Sequence, residues 1–211
     1  RNAARSRKPV ALEGEAHEHI AELGYGTDAK DSTYRFQYDM EYLWSLRPEG
    51  DTSSPGETSE RWRPSGIHFW YRQSPEVLIP TERLSTEVTP SDPPETLRGM
   101  VSVRLDPAGR LVEFRGIPPD TTSLPEQRTD FEFRDFFHAA DLDFSRFSPS
   151  AQPEPDPLVA ADHWEAWEGR VEGHDVCVEA ASWCGHPVLF RTVFPFTGRQ
   201  SVDNRQGFGA G

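Results

Sequence analysis

Apolar residues recur along the chain in two rhythms, one helical and one extended. Between residues 10 and 24, Leu12, Ala16, Ile20 and Leu23 fall at i, i+4, i+8 and i+11, one stripe of a helix. Gly24 stands where a C′ glycine ends such a helix. Residues 33–38 alternate and predict a short strand, after which Asp39 caps a short helix through Met40, Leu43 and Trp44. Ile67 to Arg72 is a further strand, with Ile67, Phe69 and Tyr71 on one face and His68, Trp70 and Arg72 on the other. Val77, Leu78 and Ile79 read as an edge segment inside a Pro-rich stretch over 74–95.

The sharpest local signal is a hairpin. Met100 to Leu105 alternates, Asp106-Pro107-Ala108-Gly109 is a turn, and Leu111 to Ile117 returns. The plan then restarts. Thr129 and Glu132 are spaced as a capping box, and Phe133, Phe136, Phe137 and Ala140 lie on one helical face. Three strands follow at 163–171, 174–183 and 187–194, with turns at Glu172-Gly173 and Gly185-His186. Polar or Pro-rich stretches at 48–66 and 148–158 read as loops.

This order predicts an α+β fold of two helix-plus-antiparallel-meander halves, packed together or sharing one sheet. The divisions are a flexible leader over 1–9, a first half over 10–120, a second over 121–197 and a disordered tail over 198–211.

Composition adds to this picture. Hydrophobic residues are 35% of the 211, but six Trp, five Tyr and thirteen Phe predict an aromatic-rich core. The net charge of −13 repels phosphate backbones and anionic head groups, which argues against nucleic acid as a partner. The acidity reads as solubility, with an acidic face for a cationic partner as the alternative. No run approaches the roughly 20 apolar residues of a membrane-crossing helix. The sequence begins Arg1-Asn2-Ala3, as an excised or processed piece would, and the basic run Arg1 to Lys8 suits a leader or a juxtamembrane flank. Cys177 and Cys184 share a strand and its following turn, a spacing that favours two thiols over a disulfide.

No catalytic constellation emerges. His17 and His19 are two apart on a helix and diverge by about 200°. His163, His174 and His186 fall near three successive strands, but no HExxH or CxxC spacing supports a metal, and no cofactor is expected. Ser182, Cys184 and His186, with His174, form the one candidate thiol or histidine site. The carboxylate pairs Asp28/Asp31, Asp141/Asp143 and Glu154/Asp156 read as solvated. Among the tryptophans, Trp70, Trp164 and Trp167 are the candidate binding residues. Trp164 and Trp167, three apart, point to opposite faces of a strand, so one of them can mark a contact surface.

Several segments carry a likeness to a known family. Ala21-Glu22-Leu23-Gly24-Tyr25, Phe69 to Pro75, Gly99-Met100-Val101, Leu105-Asp106-Pro107, Trp164 to Gly169 and Val178 to Ala181 resemble the region following the kinase domain and membrane segment of some large bacterial serine/threonine protein kinases, chiefly acidobacteria-like. The resemblance spans about residues 14–197 and carries no kinase motif. It implies a non-catalytic, extracytoplasmic sensory or interaction domain that binds a ligand or protein partner and meets the membrane only through other segments. In its order of elements the chain is also similar to PepSY-like and cystatin-like modules, which implies an inhibitor or interaction module as the alternative.

Overall fold

The computed structural model describes residues 8–26, 29–39, 65–82, 86–118, 131–150, 155–171 and 173–193. Their elements are α1 (Pro9–Glu22), β1 (Asp31–Tyr38), β2 (Ile67–Ser74), β3 (Val101–Leu105), β4 (Leu111–Gly116), α2 (Phe133–Ala139), β5 (Phe147–Pro149), β6 (His163–Val171), β7 (His174–Trp183) and β8 (His186–Val193). The fold is α+β and mostly sheet. All eight strands join one antiparallel sheet in the order β1-β2-β3-β4-β8-β7-β6-β5.

The predicted helix forms because its apolar stripe has a sheet to cover. Leu12, Ala16, Ile20 and Leu23 are all buried. Pro9 suits the first turn, where its missing N–H has no helical acceptor to lose. Gly24 takes φ 82° and closes a Schellman motif: Tyr25 N–H donates to the Ile20 carbonyl, and Gly24 N–H to that of Ala21. The two histidines diverge as their spacing requires. His17 Nε2 lies 2.6 Å from the Tyr71 hydroxyl, and His19 Nε2 donates to the Gly109 carbonyl at 2.9 Å, docking α1 on β2 and on the β3–β4 turn.

That turn is as predicted. Gly109 adopts φ 87°, and the Asp106 carboxylate accepts from the N–H groups of Ala108 and Arg110. The β7–β8 turn is one residue earlier than its sequence suggests. Trp183 pairs with His186, so Cys184 and Gly185 form the loop, with φ 48° and 76°. Positive φ at both central residues matches the twist of a two-residue hairpin.

Three other expectations shift. Helix α2 starts at Phe133, capped by Glu132 rather than Thr129, which lies outside the described residues; Asp135 completes the reciprocal box. Val77-Leu78-Ile79 is no strand. Pro75 and Pro80 bracket it, and the Leu78 N–H donates to the Asp31 carboxylate instead of a ladder. Residues 147–149, placed in or beside a loop, form the short edge strand β5 against β6. The short helix predicted through Met40, Leu43 and Trp44, with Asp39 as its cap, lies outside the described residues, as do 198–211.

Both helices lie on the same face of the sheet, over the principal core. Phe136 stacks on Phe190 at 4.9 Å and meets Phe114 at 5.5 Å; Phe137 meets Phe147 and Trp167 edge-on. Two rings lie directly on glycines: Tyr25 over Gly116 and Phe147 over Gly169, where an added Cβ would stand 2.6 Å from the ring. The Tyr25 hydroxyl then donates to the Pro187 carbonyl at 2.6 Å, tying the end of β4 to β8.

Candidate functional site

Among the described residues the opposite face carries no helix, and its side chains are of a different kind. Register lines them up in rows. One row runs Arg35, Trp70, Arg104, Glu113, Arg191, Glu179 across β1, β2, β3, β4, β8 and β7. The neighbouring row runs Arg72, Ser102, Arg115, Leu189, Ala181, Trp164. Opposite charges directly across an antiparallel pair are within bonding reach, and here they bond. Arg104 Nη1 is 3.0 Å from Glu113 Oε2 and Arg191 Nε donates to Glu179 Oε2 at 2.5 Å across their pairs, while along β4 Arg115 Nε donates to Glu113 Oε1 at 2.7 Å.

Two loop segments stand on this ladder as walls, each pinned by arginine. The first is the Pro-rich stretch before β3. Arg72 is fully buried and donates to the carbonyls of Pro93 at 2.7 Å and Pro90 at 2.6 Å, and to Glu95 at 2.8 Å, with Trp70 5.0 Å beneath its guanidinium. Prolines keep their carbonyls but have no N–H to close a turn, so a buried five-donor guanidinium is well suited to fix them. Ser102 also donates to Glu95. The second wall is the segment before β6. Asp156 accepts from Arg115 Nη2 at 3.2 Å and lies 3.8 Å from Arg191 Nη1. Val159 and Ala161 of that segment, with Trp164, pack on Ala181, Val188 and Leu189 in a small second core. Asp156, expected to be solvated, is thus an anchor.

Between the walls is a cavity of about 750 Å³. Its floor includes Trp70, Arg104, Glu113 and Arg115; Ile117 and Leu158 are among its apolar lining. That volume is in the range of small-molecule sites, as is the mixture of apolar walls with a few convergent polar groups.

Burial alone would raise the Glu113 carboxyl; the guanidinium groups of Arg104, Arg115 and Arg191, with the Arg115 hydrogen bond, outweigh it and hold the pKa at about 2. Burial, then the Arg104 charge, lowers His68 on the same face to about 4, against the opposing pull of Asp39, Asp106 and Glu113. At neutral pH Glu113 is therefore charged and His68 is not.

The three candidate tryptophans separate. Trp70 and Trp164 are on the helix-free face, Trp70 in the cavity wall and Trp164 in the second core. Trp167 points the other way, into the principal core, at 3% exposure. Among the described residues the exposed tryptophan is Trp183, and the other exposed aromatics are Tyr34, Phe36 and Tyr38 of β1, which the tryptophan-centred reading missed although their strict alternation signals one shared face.

The thiol and histidine candidates do not converge. His174 opens β7 opposite Val171, whereas Cys184 and His186 follow its far end, about 30 Å along an extended strand at ~3.3 Å per residue. Ser182 and His163 are paired across β6 and β7 near Cys184, but His163 stacks on Phe133 and bonds Glu165 at 2.9 Å. The Cys184 N–H donates to Asp162. Cys177 and Cys184 form no disulfide. Among the described residues no cluster of three His, Cys, Asp or Glu can hold a metal, and no helix is long and apolar enough to cross a membrane. Comparisons of the chain with protein-family models, with curated proteins and with solved structures return no match, so the site must be interpreted from its own geometry.

Proposed function

We propose that this is a non-catalytic binding domain whose ligand occupies the groove between the two pinned walls. The observation that carries the reading is the pair of anchors: Arg72 under the first wall, and Arg115 and Arg191 under Asp156 of the second. Buried charged side chains bring little net stability, so charges that hold a groove open are better explained by what the groove receives.

The site's position suggests a mechanism. The sheet reads as two helix-plus-meander units, α1 with β1–β4 and α2 with β5–β8, and the last strands of the two pair at the centre. That pairing is narrow, Glu113–Arg115 against Leu189–Arg191, whereas β6 and β7 pair along their whole length. A ligand touching Arg104 and Arg115 on one side and Val188 on the other spans this seam. Its binding would bias how the units sit, which is the change a sensory domain passes on. The extracytoplasmic, kinase-linked setting is supported by the sequence resemblance alone; a parent reading frame without a kinase domain would remove that setting and leave the groove.

The test is an amide ¹H–¹⁵N screen of the whole chain against small-molecule mixtures. Hits are expected to shift the amides of residues 102–104, 113–117 and 158–160 together. Hits that shift other surfaces and leave these amides still would overturn the reading.

One observation favours the inhibitor or interaction module as a second reading. β1 is a long edge strand presenting Tyr34, Phe36 and Tyr38, to which an extended segment of a protein partner can add. Tyr34→Glu and Phe36→Glu together should abolish such binding and leave the groove untouched.

A further inference from the structure

The groove's ligand class follows from which of its charges are already used. The floor and walls carry four arginines (Arg72, Arg104, Arg115 and Arg191) and four carboxylates (Glu95, Glu113, Asp156 and Glu179), so the network is neutral as it stands. Both carboxylates that line the cavity are occupied: Glu95 by Arg72 and Ser102, Glu113 by Arg104 and Arg115. Arg115 is occupied too, by Glu113 through Nε and by Asp156 through Nη2.

Arg104 differs. It spends Nη1 on Glu113, while its Nε is buried with no hydrogen-bond partner. An atom that buried is not what a ligand touches; what the cavity meets is the exposed end of the Arg104 guanidinium, whose one ion-pair partner among the described residues is Glu113. Arg72 Nε is likewise without a partner, but Arg72 is sealed at 0% exposure and lines no part of the cavity, so no ligand reaches it. The Arg104 side chain is 33% exposed and lines the cavity beside Trp70.

Resting on the groove reading, we infer that the ligand is a monoanionic amphipath: one carboxylate received by the Arg104 guanidinium, with an apolar body laid along Trp70, Val188 and Leu158. A planar carboxylate matches the donor fork of a guanidinium. A single charge is the most the site admits, because its four arginines are already matched by four carboxylates and the whole chain carries −13, which repels polyanions. The apolar lining, with Leu158 at 70% exposure on the rim, asks for a body that hides it.

The probes are decanoate and decanol, which share a chain and differ in the charged head. They are titrated by calorimetry into the full chain and its Arg104→Gln and Arg104→Lys variants, with amide shifts locating the site. Decanoate is expected to saturate the groove and to bind at least tenfold tighter than decanol. Arg104→Gln should remove that preference, and Arg104→Lys, which keeps the charge without the fork, should weaken decanoate several-fold. If Arg104→Gln does not fold, Arg104→Lys against the parent decides. Equal binding of both probes in the groove would sink the anion inference and leave the groove reading standing. Failure of decanoate to move any groove amide would overturn the anion inference, and failure of both probes would count against the groove as well. A decanoate preference unchanged in both variants would show that Arg104 is not the receptor.

Discussion

The two faces of this sheet are built on opposite principles. The helix-bearing face is a continuous aromatic and aliphatic core from Leu12 to Phe190, with Phe136 and Phe137 of α2 wedged among Phe114, Phe147, Trp167 and Phe190. The helix-free face is an arginine–carboxylate ladder with two loops pinned to it. Apolar burial contributes stability roughly in proportion to area, whereas desolvating charges offsets most of what their pairing returns. The comparison therefore separates what holds the fold from what shapes the groove.

The largest expected effect is on the core side. Phe136→Ala removes a fully buried ring shared by Phe114, Phe131 and Phe190 and should cost about 3–5 kcal/mol in urea unfolding. A loss under 1 kcal/mol would mean that the aromatic cluster is not the principal support.

Glu113→Gln should cost less, about 1–3 kcal/mol, because it leaves Arg104 without its anion while that side chain, 33% exposed, still reaches water. It should also change the acid limb of the stability profile. Glu113 titrates near 2 folded and at an ordinary 4.5 unfolded, so its contribution is complete above about 4.5 and is lost as pH falls toward 2. The variant should lack that increment of loss; an unaltered acid limb would show that Glu113 is not held as described.

The smallest effect belongs to His68. Its pKa of about 4 lies below the ordinary 6.5, so the folded state favours the neutral ring, and stability declines as pH falls from 6.5 to 4. His68→Gln should flatten the profile in that window alone. A profile already flat there in the parent chain would contradict the neutral assignment.

The core side was largely legible in the sequence, and the ladder was not. Leu12, Ala16, Ile20 and Leu23 announce α1 because a helix repeats locally, and Asp106 to Gly109 announces its hairpin because turn chemistry is local. The alternation of β2 correctly put Trp70 and Arg72 on one face. What that face meets depends on register between distant segments. Pairing Glu113 with Arg191 requires β4 to lie beside β8, a contact across 78 residues that no local pattern encodes. Asp156 in a Pro-rich stretch looks like any solvated acid until Arg115 and Arg191 are brought beneath it. Arg104 has the residue type of many surface arginines; only its place in the cavity beside Trp70 distinguishes it. The capping box misled for a related reason: Thr129/Glu132 and Glu132/Asp135 both have the right spacing, and α2 uses the second.

The contrast between the faces is tested most directly by removing charge without removing packing. An Arg104→Leu/Glu113→Leu double variant replaces one rung of the ladder with apolar side chains and leaves Arg115 paired to Asp156. Its unfolding free energy in urea should stay within about 1 kcal/mol of the parent chain, because a desolvated ion pair and an apolar pair are close to equivalent in stability. A loss of about 3 kcal/mol or more, comparable with Phe136→Ala, would show that the ladder holds the fold together and would contradict its assignment to binding.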